Sequence, residues 1–190
     1  FVNMAWGLGL GIIIDGNLYY GKSGFSGELG HFCMFENEVL CHCGKKGCLE
    51  TEASGSAFHR ILMERYREGS NTILAGKLDS GEEISLGDLL EAVRKEDVLC
   101  IDILEKMGVN LGKGIAGLMN IFNPELVILG GTLSLAGEYI SLPIKSAIRK
   151  YSLNLVNQDT EIKISKLGER AGAFGACLLS RSKLLGMIHY

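Results

Sequence analysis

The stretch that decides the fold of this chain is GFSGELGHF (24–32) followed by CHCGKKGCLETEASG (41–55). Three of the six cysteines crowd into the second segment as Cys41, Cys43 and Cys48, and His31 precedes them. A structural zinc site uses four nitrogen or sulfur ligands in a tetrahedron. Two thiolates in a Cys-x-Cys spacing need an irregular loop, and the two glycines of CHCGKKGC allow one. The sequence therefore predicts a structural zinc ion held by His31, Cys41, Cys43 and Cys48.

The same cluster has an interpretation without a metal. Cys41 and Cys48 would form a disulfide, Cys43 would be free, and His31 would be a surface residue. Clustered cysteines beside a histidine, in a chain with no secretory features, favour metal ligands over a disulfide framework. The two lysines between the cysteines would also offset part of the negative charge of three thiolates.

The composition is that of an ordinary globular chain. Its 190 residues, 47% apolar and 22% charged, suit one domain or two small ones. The net charge of −3 disfavours nucleic acid as a direct partner of this segment. No apolar run approaches the roughly 20 residues that span a bilayer, and no signal peptide opens the chain. We therefore expect a cytoplasmic fragment of a longer protein, with Cys100 and Cys177 buried as small apolar residues.

Hydrophobic periodicity predicts strands that alternate with helices, which indicates α/β layers. Near the start, short apolar runs and the Asp15-Gly16 turn signal predict strands. The expected strands are 2–8, 11–14, 18–20, 126–131 and 161–165. The expected helices are 50–67, 97–122, 138–151 and 171–185, with one more that starts near Ser85. Four glycines inside 97–122 weaken that helix by about 1 kcal/mol each relative to alanine. They indicate close approach of another backbone, and we place this helix near an oligomer contact.

The two motif segments closely resemble the ROK family, which comprises repressors, open reading frames and sugar kinases. Weaker agreement continues through NIFNPELVILGG (120–131) and ERAGAFGACLL (169–179), so it covers essentially the whole chain. The resemblance implies an α/β fold, the C-terminal lobe of an actin-like (ribonuclease H-like) ATPase or sugar-kinase fold with an inserted zinc loop. Residues 1–190 would be one C-terminal ROK domain, with the N-terminal lobe and any helix-turn-helix outside this chain. It also implies a homodimer or homotetramer.

Two carboxylates are tethered to the predicted metal loop, Glu28 just before His31 and Glu50 just after Cys48. Ionised carboxylates make strong hydrogen bonds to sugar hydroxyls, and metal ligation nearby would fix their positions. By similarity to ROK sugar kinases, Glu28, His31 and Glu50 contact the sugar, with His31 also binding zinc. The alternative is that both carboxylates are solvated or only support the loop. Glu52 could replace Glu50 but matches the motif less well.

The segment WGLGLG (6–11) alternates glycine, as a phosphate-cradling turn does, although a tight β-turn would have the same pattern. By resemblance, nucleotide-binding positions would be Gly7, Gly9, Gly11, Gly130 and Gly131. ROK kinases usually carry threonine where this chain has Trp6, and an indole would obstruct a phosphate. The Gly130-Gly131 turn fits a plain strand-to-helix connection equally well.

No catalytic residue is predicted within the chain. Phosphoryl transfer needs a carboxylate base near the attacking hydroxyl and electrostatic support for the phosphates. In ROK kinases the base is an aspartate that follows an asparagine upstream of the glycine loop. Here only Asn3 precedes that loop, and no aspartate follows it. The chain by itself is not expected to transfer a phosphoryl group, and ATP with Mg²⁺ would be cofactors only if it were half of a kinase.

Three functions fit these observations. The first is the sugar-sensing effector domain of a ROK transcriptional regulator, which binds a sugar or sugar phosphate and contacts DNA through a winged helix-turn-helix outside this chain. The second is the C-terminal half of an ATP-dependent sugar kinase of the glucokinase or N-acetylhexosamine kinase type. The third is a zinc-stabilised assembly domain without a ligand, which leaves Glu28 unexplained. Trp6 favours the first.

Overall fold

A computed structural model describes residues 1–186, and six short strands lie within them. Their bounds are β1 (Val2–Met4), β2 (Leu8–Leu10), β3 (Ile13–Ile14), β4 (Asn17–Leu18), β5 (Leu126–Gly130) and β6 (Glu161–Ile164). Four of them form one sheet in the order β2-β1-β5-β6, and β3 pairs with β4 in a separate hairpin. The expected start of the chain as β structure is confirmed.

The central sheet is mixed. Strand β1 is antiparallel to β2, with Val2 opposite Leu10. It is parallel to β5, with Val2 opposite Leu129, and β5 is parallel to β6. The carboxyl ends of β1 and β5 therefore lie at the same edge of the sheet. At that edge Gly131 has φ +84°, and a side chain there would collide with the carbonyl of Met4.

Helices and one-turn 3-10 segments connect and cover the strands. The helices are α1 (Glu50–Ala53), α2 (Gly55–Arg67), α3 (Ala75–Ser80), α4 (Leu86–Arg94), α5 (Val98–Phe122), α6 (Glu138–Tyr151), α7 (Asn154–Asp159) and α8 (Ala171–Leu184). The 25-residue α5 buries apolar side chains along its length, among them Leu104, Leu111 and Ile115. It is the longest element and the centre of the core.

Two of the glycines of α5 allow another helix of the chain to pack closely. A Cβ at Gly108 would lie 2.8 Å from the Cβ of Pro143, and one at Gly112 would lie 2.6 Å from the Cβ of Ala147. Both neighbours belong to α6, which therefore packs directly on the backbone of α5. The close approach of another backbone that these two glycines predict is therefore made by α6 of the same chain.

Several elements differ from the sequence prediction. The run 2–8 is not one strand, because a turn at 5–7 folds it into β1 and β2. The helix expected over 50–67 breaks at Ser54, whose extended backbone and side-chain acceptor for the N–H of Ala57 begin α2 separately. Helices α3 and α7 were not predicted. Cys100 is buried as expected, but the prediction for Cys177 is wrong, because that residue is exposed on α8.

Helix α8 contributes nothing to the core. Among its described residues none is buried, and Phe174 and Leu178 are each about half exposed, at 50% and 51%. It therefore presents apolar side chains to its surroundings. Separately, no described helix combines the length and apolar character that crossing a membrane would require.

Asp97 joins α5 to the segment that follows α2. Its carboxylate accepts hydrogen bonds from the backbone N–H groups of Cys100 at 2.9 Å and Ile73 at 2.6 Å, and from the hydroxyl of Thr72 at 2.8 Å. Burial alone would raise the pKa of Asp97, but these hydrogen bonds outweigh burial and hold its pKa below the usual range. The carboxylate is thus an N-cap and a tie between two segments.

Replacing Asp97 by alanine is expected to lower the free energy of unfolding by about 2–3 kcal/mol, because it removes a cap and leaves buried donors unpaired. Since the folded pKa is lowered, this contribution is complete above the unfolded pKa of about 4 and is lost as pH falls through the folded value. Urea unfolding at several pH values measures both effects. Asp102→Ala, at an exposed position of α5, should change stability by less than about 0.5 kcal/mol. Equal losses for the two variants would contradict this role.

Candidate functional site

The four residues predicted as metal ligands come together. The Nδ1 atom of His31 lies 3.5 Å from the Sγ atom of Cys41, and the Sγ atoms of Cys43 and Cys48 are 3.6 Å apart. The four donor atoms all lie within 4.8 Å of one another. The structure thus brings one imidazole and three thiols together in one cluster, and this cluster could hold one metal ion.

The local backbone explains how distant residues reach this point. Residues 40–46 form a tight hairpin, with the N–H of Cys41 bonded to the carbonyl of Lys45 and the N–H of Gly44 bonded to the carbonyl of Cys41. Gly44 and Gly47 have φ of +84° and +74°, a conformation that glycine adopts without strain. His31 ends a 3-10 turn that spans Leu29–His31 and faces this hairpin. The irregularity that the Cys-x-Cys spacing predicted is therefore present.

The protonation of the thiols depends on their surroundings. Burial raises the pKa of Cys48 to about 12 and also raises that of Cys41. In contrast, a hydrogen bond from the backbone of Lys45 lowers the pKa of Cys43. A cation at the centre of the cluster would favour the thiolate form of all three, since metal binding displaces protons from its ligands.

Glu28 lies on the other side of the His31 ring. Its Oε2 atom is 3.6 Å from Nε2 of His31, and its side chain is 58% exposed. The imidazole therefore turns Nδ1 toward the thiols and Nε2 toward this carboxylate. An open carboxylate next to a fixed ring nitrogen is an arrangement that can bind a polyhydroxylated ligand.

Glu50 links the cysteine loop to the turn between β1 and β2. Its Oε2 atom accepts the backbone N–H of Leu8 at 2.9 Å, and its Oε1 atom lies 3.9 Å from the Sγ atom of Cys41. A Cβ at Gly7 would lie 3.1 Å from the same Oε2, so the turn passes directly over this carboxylate. Glu50 is half-buried and structurally engaged, whereas Glu28 is open.

Glu52, the alternative to Glu50, is committed to other partners. Its carboxylate accepts hydrogen bonds from the side chains of Asn37 at 2.8 Å and Arg60 at 3.4 Å. Burial raises the pKa of Glu52. Arg60 also donates to the carbonyl of Thr51 at 2.8 Å and pairs with Glu64 one helical turn away. Arg60 was not among the residues predicted from the sequence, although its i,i+4 spacing to Glu64 is typical of an ion pair on a helix.

A small cleft opens between the cysteine hairpin and α2. It has a volume of about 140 Å³, and its polar lining includes His42, Glu50, Ser56 and Arg60. Neither Glu28 nor His31 is among its lining residues. The cleft therefore lies beside the Glu28 and His31 pair and does not include it.

The predicted nucleotide-binding glycines separate into two groups. Gly7, Gly130 and Gly131 lie where β1 and β5 end, at the same edge of the sheet. Gly9 lies inside β2, and Gly11 lies at the opposite end of the hairpin, where its backbone pairs with that of Phe1. The structure thus brings three of the five together and leaves the other two apart.

Trp6 is at the tip of the turn between β1 and β2. Its side chain is half exposed, and its ring centroid lies 5.9 Å from that of His59 on α2. The carbonyls of Ala5 and Trp6 accept the backbone N–H groups of Gly55 and Ser56, at 2.8 and 2.9 Å. The first turn of α2 therefore fixes this turn, and the indole is not part of the core.

The structure defines an α/β lobe with an inserted cysteine–histidine loop that forms a candidate metal site. The chain belongs to the ROK family, whose family model matches residues 1–183. The predicted fold is confirmed, because the solved structures that the chain resembles are ROK sugar kinases and regulators of the actin-like ATPase type.

The relatives include both enzymes and regulators. The chain is 35% identical to a glucokinase from Halalkalibacterium halodurans over 92% of this chain and 53% of the relative. It matches a ROK transcriptional regulator, a homologue of the E. coli MLC protein, with 36% identity and a TM-score of 0.78 over 86% of this chain and 40% of that one. It also matches a Streptomyces griseus ROK glucokinase in complex with glucose and AMPPNP, with 30% identity and a TM-score of 0.82. This match covers 95% of this chain and 59% of the glucokinase chain. The chain spans about half the length of the curated relatives it matches.

Proposed function

We propose that this chain is the sugar-sensing effector domain of a ROK-family transcriptional regulator, stabilised by a structural zinc ion. The observation that carries the proposal is the orientation of His31. Its Nδ1 atom faces the cysteines, at 3.5 Å from Cys41, and its Nε2 atom faces Glu28 at 3.6 Å. One ring thereby connects a metal site to a carboxylate that is open to a ligand.

The donor set supports zinc as the metal. Zinc–sulfur bonds of about 2.3 Å in a tetrahedron place neighbouring ligand atoms about 3.8 Å apart. The 3.5 and 3.6 Å separations within the cluster approach that value without a large rearrangement. A site with four protein ligands leaves no position for a reacting water, so the ion would have a structural role.

In this proposal zinc orders the sugar site without touching the sugar. Ligation by His31 would fix Glu28 three residues before it, and ligation by Cys48 would fix Glu50 two residues after it. Preorganised carboxylates bind hydroxyl groups more strongly than mobile ones, since less freedom is lost on binding. Glu28, His31 and Glu50 would thus form the sugar-binding set of this lobe.

Trp6 favours a regulator over a kinase. It occupies the turn where, by resemblance, ROK kinases have threonine, and the N–H groups of Gly55 and Ser56 hold that turn in place. A half-exposed indole at the edge where β1 and β5 end would occupy space that nucleotide phosphates need. In the regulator proposal, the sugar changes the population of two lobe arrangements, and DNA affinity changes reciprocally.

The rest of the regulator would lie outside this chain. An N-terminal winged helix-turn-helix would contact DNA, and an N-terminal lobe would close over the sugar. The apolar side chains of α8, none of them buried in the described part of that helix, support such a neighbouring lobe. We place the protein in the cytoplasm, as a homodimer or homotetramer.

A sugar kinase is the second candidate. The meeting of Gly7, Gly130 and Gly131 at one sheet edge favours it, because ligands of α/β proteins bind beyond the carboxyl ends of strands. ATP and Mg²⁺ would then be bound at that edge, and the catalytic carboxylate would come from the lobe outside this chain. The glucokinase relatives are consistent with this alternative.

The complete protein is expected to bind a sugar without turning over ATP. Glucose, xylose and N-acetylglucosamine are suitable probes, with ADP release followed by a coupled assay. Trp6 is the sole tryptophan of this chain, so in the isolated chain its emission reports on the turn directly. We expect no ADP above background with any of the three sugars, and weakened DNA binding with one of them. Sustained sugar-dependent ADP production would instead establish the kinase alternative.

A further inference from the structure

A fifth sulfur lies beside the candidate metal site. Cys33 is exposed, two residues after His31, and it is not among the four clustered ligands. Its Sγ atom lies 3.5 Å from the carbonyl oxygen of Lys46, and a Cβ at Gly47 would lie 3.3 Å from that sulfur. Cys33 therefore sits against the backbone that leads into Cys48.

The backbone places Cys33 directly opposite Cys48. The two residues form an isolated antiparallel bridge. The hydrogen bonds of this bridge flank the pair, from the N–H of Leu49 to the carbonyl of Phe32 and from the N–H of Met34 to the carbonyl of Gly47. Cys33 and Cys48 are thus a non-hydrogen-bonded pair, whose Cα atoms are typically about 4.5 Å apart. The side chains of two directly opposed residues project from the same face of the paired segments.

This geometry suits a disulfide. Disulfides join residues whose Cα atoms are about 4.4–6.8 Å apart and whose Cβ atoms face each other. The Sγ atom of Cys48 faces Cys43 at 3.6 Å, and that of Cys33 faces Lys46. Rotation about the Cα–Cβ bonds brings the two sulfurs together without a change in backbone pairing.

We propose that Cys33 and Cys48 form a regulatory disulfide that expels the metal ion. Hydrogen peroxide oxidises the exposed Cys33 thiol to a sulfenic acid and releases one water. The Cys48 sulfur attacks it, a sulfur–sulfur bond forms, and the hydroxyl leaves as a second water after taking up a proton from solvent. The two cysteines lose two electrons, and the oxygen–oxygen bond of the peroxide breaks. Cys48 would then no longer be available as a thiolate ligand, so a zinc ion held by the cluster would be released as Zn²⁺.

The consequence for the site follows from the position of Cys48. A tetrahedral site that loses one thiolate to a disulfide retains three ligands, so His31 is no longer fixed and Glu28 loses its anchored neighbour. Oxidation would then weaken sugar binding, a consequence that rests on the proposed function. The disulfide itself rests only on the pairing of residues 32–34 with 47–49.

The test treats the zinc-loaded complete protein with hydrogen peroxide and follows zinc release with a chromogenic chelator. Peptide mapping under non-reducing conditions identifies the linked cysteines. We expect a Cys33–Cys48 link that appears together with zinc release, and release at least 10-fold slower in Cys33→Ser. Cys177→Ser, which removes another exposed thiol, should release zinc at the wild-type rate.

Two results would overturn the proposal. One is zinc release from Cys33→Ser at the wild-type rate, and the other is a disulfide confined to Cys41, Cys43 and Cys48. Protein that carries no zinc before peroxide would refute the metal site but not the pairing, because the Cys33–Cys48 link is mapped independently. Reversal by a thiol reductant, with uptake of added zinc, should restore the starting state.

Discussion

Cys43→Ser is expected to weaken zinc binding by more than about 100-fold, since even the loss of a group that only supports a metal ligand weakens binding 10- to 100-fold. Cys43 is the suitable ligand to replace because it is exposed, so the substitution disturbs little packing. Zinc binding and folding are coupled, so the variant should also lose the ordered hairpin at 40–46. Competition with a chelator of known affinity measures the change.

The matched control for this substitution is Cys177→Ser. Both residues are exposed cysteines in the chain, but Cys177 lies on α8, away from the cluster. It should retain one zinc per chain with unchanged affinity. A Cys43→Ser variant with the wild-type zinc affinity in the chelator competition, or wild-type protein that never contains zinc, would contradict the metal site. The alternative interpretation, a disulfide between Cys41 and Cys48, would then be favoured.

Glu28→Gln in the complete protein is expected to weaken sugar binding by about 10- to 150-fold. Hydrogen bonds to a charged group contribute about 1.5–3 kcal/mol each, and the amide keeps the shape of the side chain but loses its charge. The substitution leaves the four clustered ligands in place, so zinc content should not change. Titration calorimetry with the sugar that binds wild-type protein gives the dissociation constants.

Glu36→Gln provides the comparison for this prediction. Glu36 is exposed in the same loop region, and its replacement by glutamine removes the same negative charge. Its dissociation constant for the sugar should match that of wild-type protein. An unchanged dissociation constant in Glu28→Gln would remove Glu28 from the sugar site and leave it as a solvated residue beside His31.

The candidate metal site could be predicted from the sequence because ligand chemistry is local. Three cysteines and a histidine in a glycine-containing segment have few other uses in such a chain, and the structure brings all four together. The place of Cys33 opposite Cys48 could not be predicted. It depends on hydrogen bonds between two irregular segments, 32–34 and 47–49, that carry no periodic signal.

The long elements could be predicted for a different reason. Helix α5 repeats apolar residues over 25 positions, so its period is unambiguous. The sequence did not predict the turn that separates β1 from β2, because the apolar residues Ala5 and Trp6 continue the pattern of β1. The turn there is fixed from outside, by the N–H groups at the start of α2. Likewise, the break at Ser54 depends on where that turn docks rather than on helix propensity.

The glycine positions show the limit of a motif read in isolation. WGLGLG alternates regularly, yet Gly7 passes over the Glu50 carboxylate and Gly11 pairs with Phe1 at the far end of the hairpin. The same residue type therefore serves two purposes within six positions. Only the strand pairing shows which glycine faces the edge where β1 and β5 end.

The central claim is that a zinc ion orders a sugar-binding site built on Glu28, His31 and Glu50. The most direct measurement is the affinity of the complete protein for glucose, xylose and N-acetylglucosamine, before zinc removal, after it and after zinc is restored. We predict that one of these sugars binds the zinc-loaded protein, binds at least 10-fold more weakly after chelation, and regains its affinity when zinc is added back. Equal affinity with and without zinc, or no zinc in the purified protein, would contradict the account.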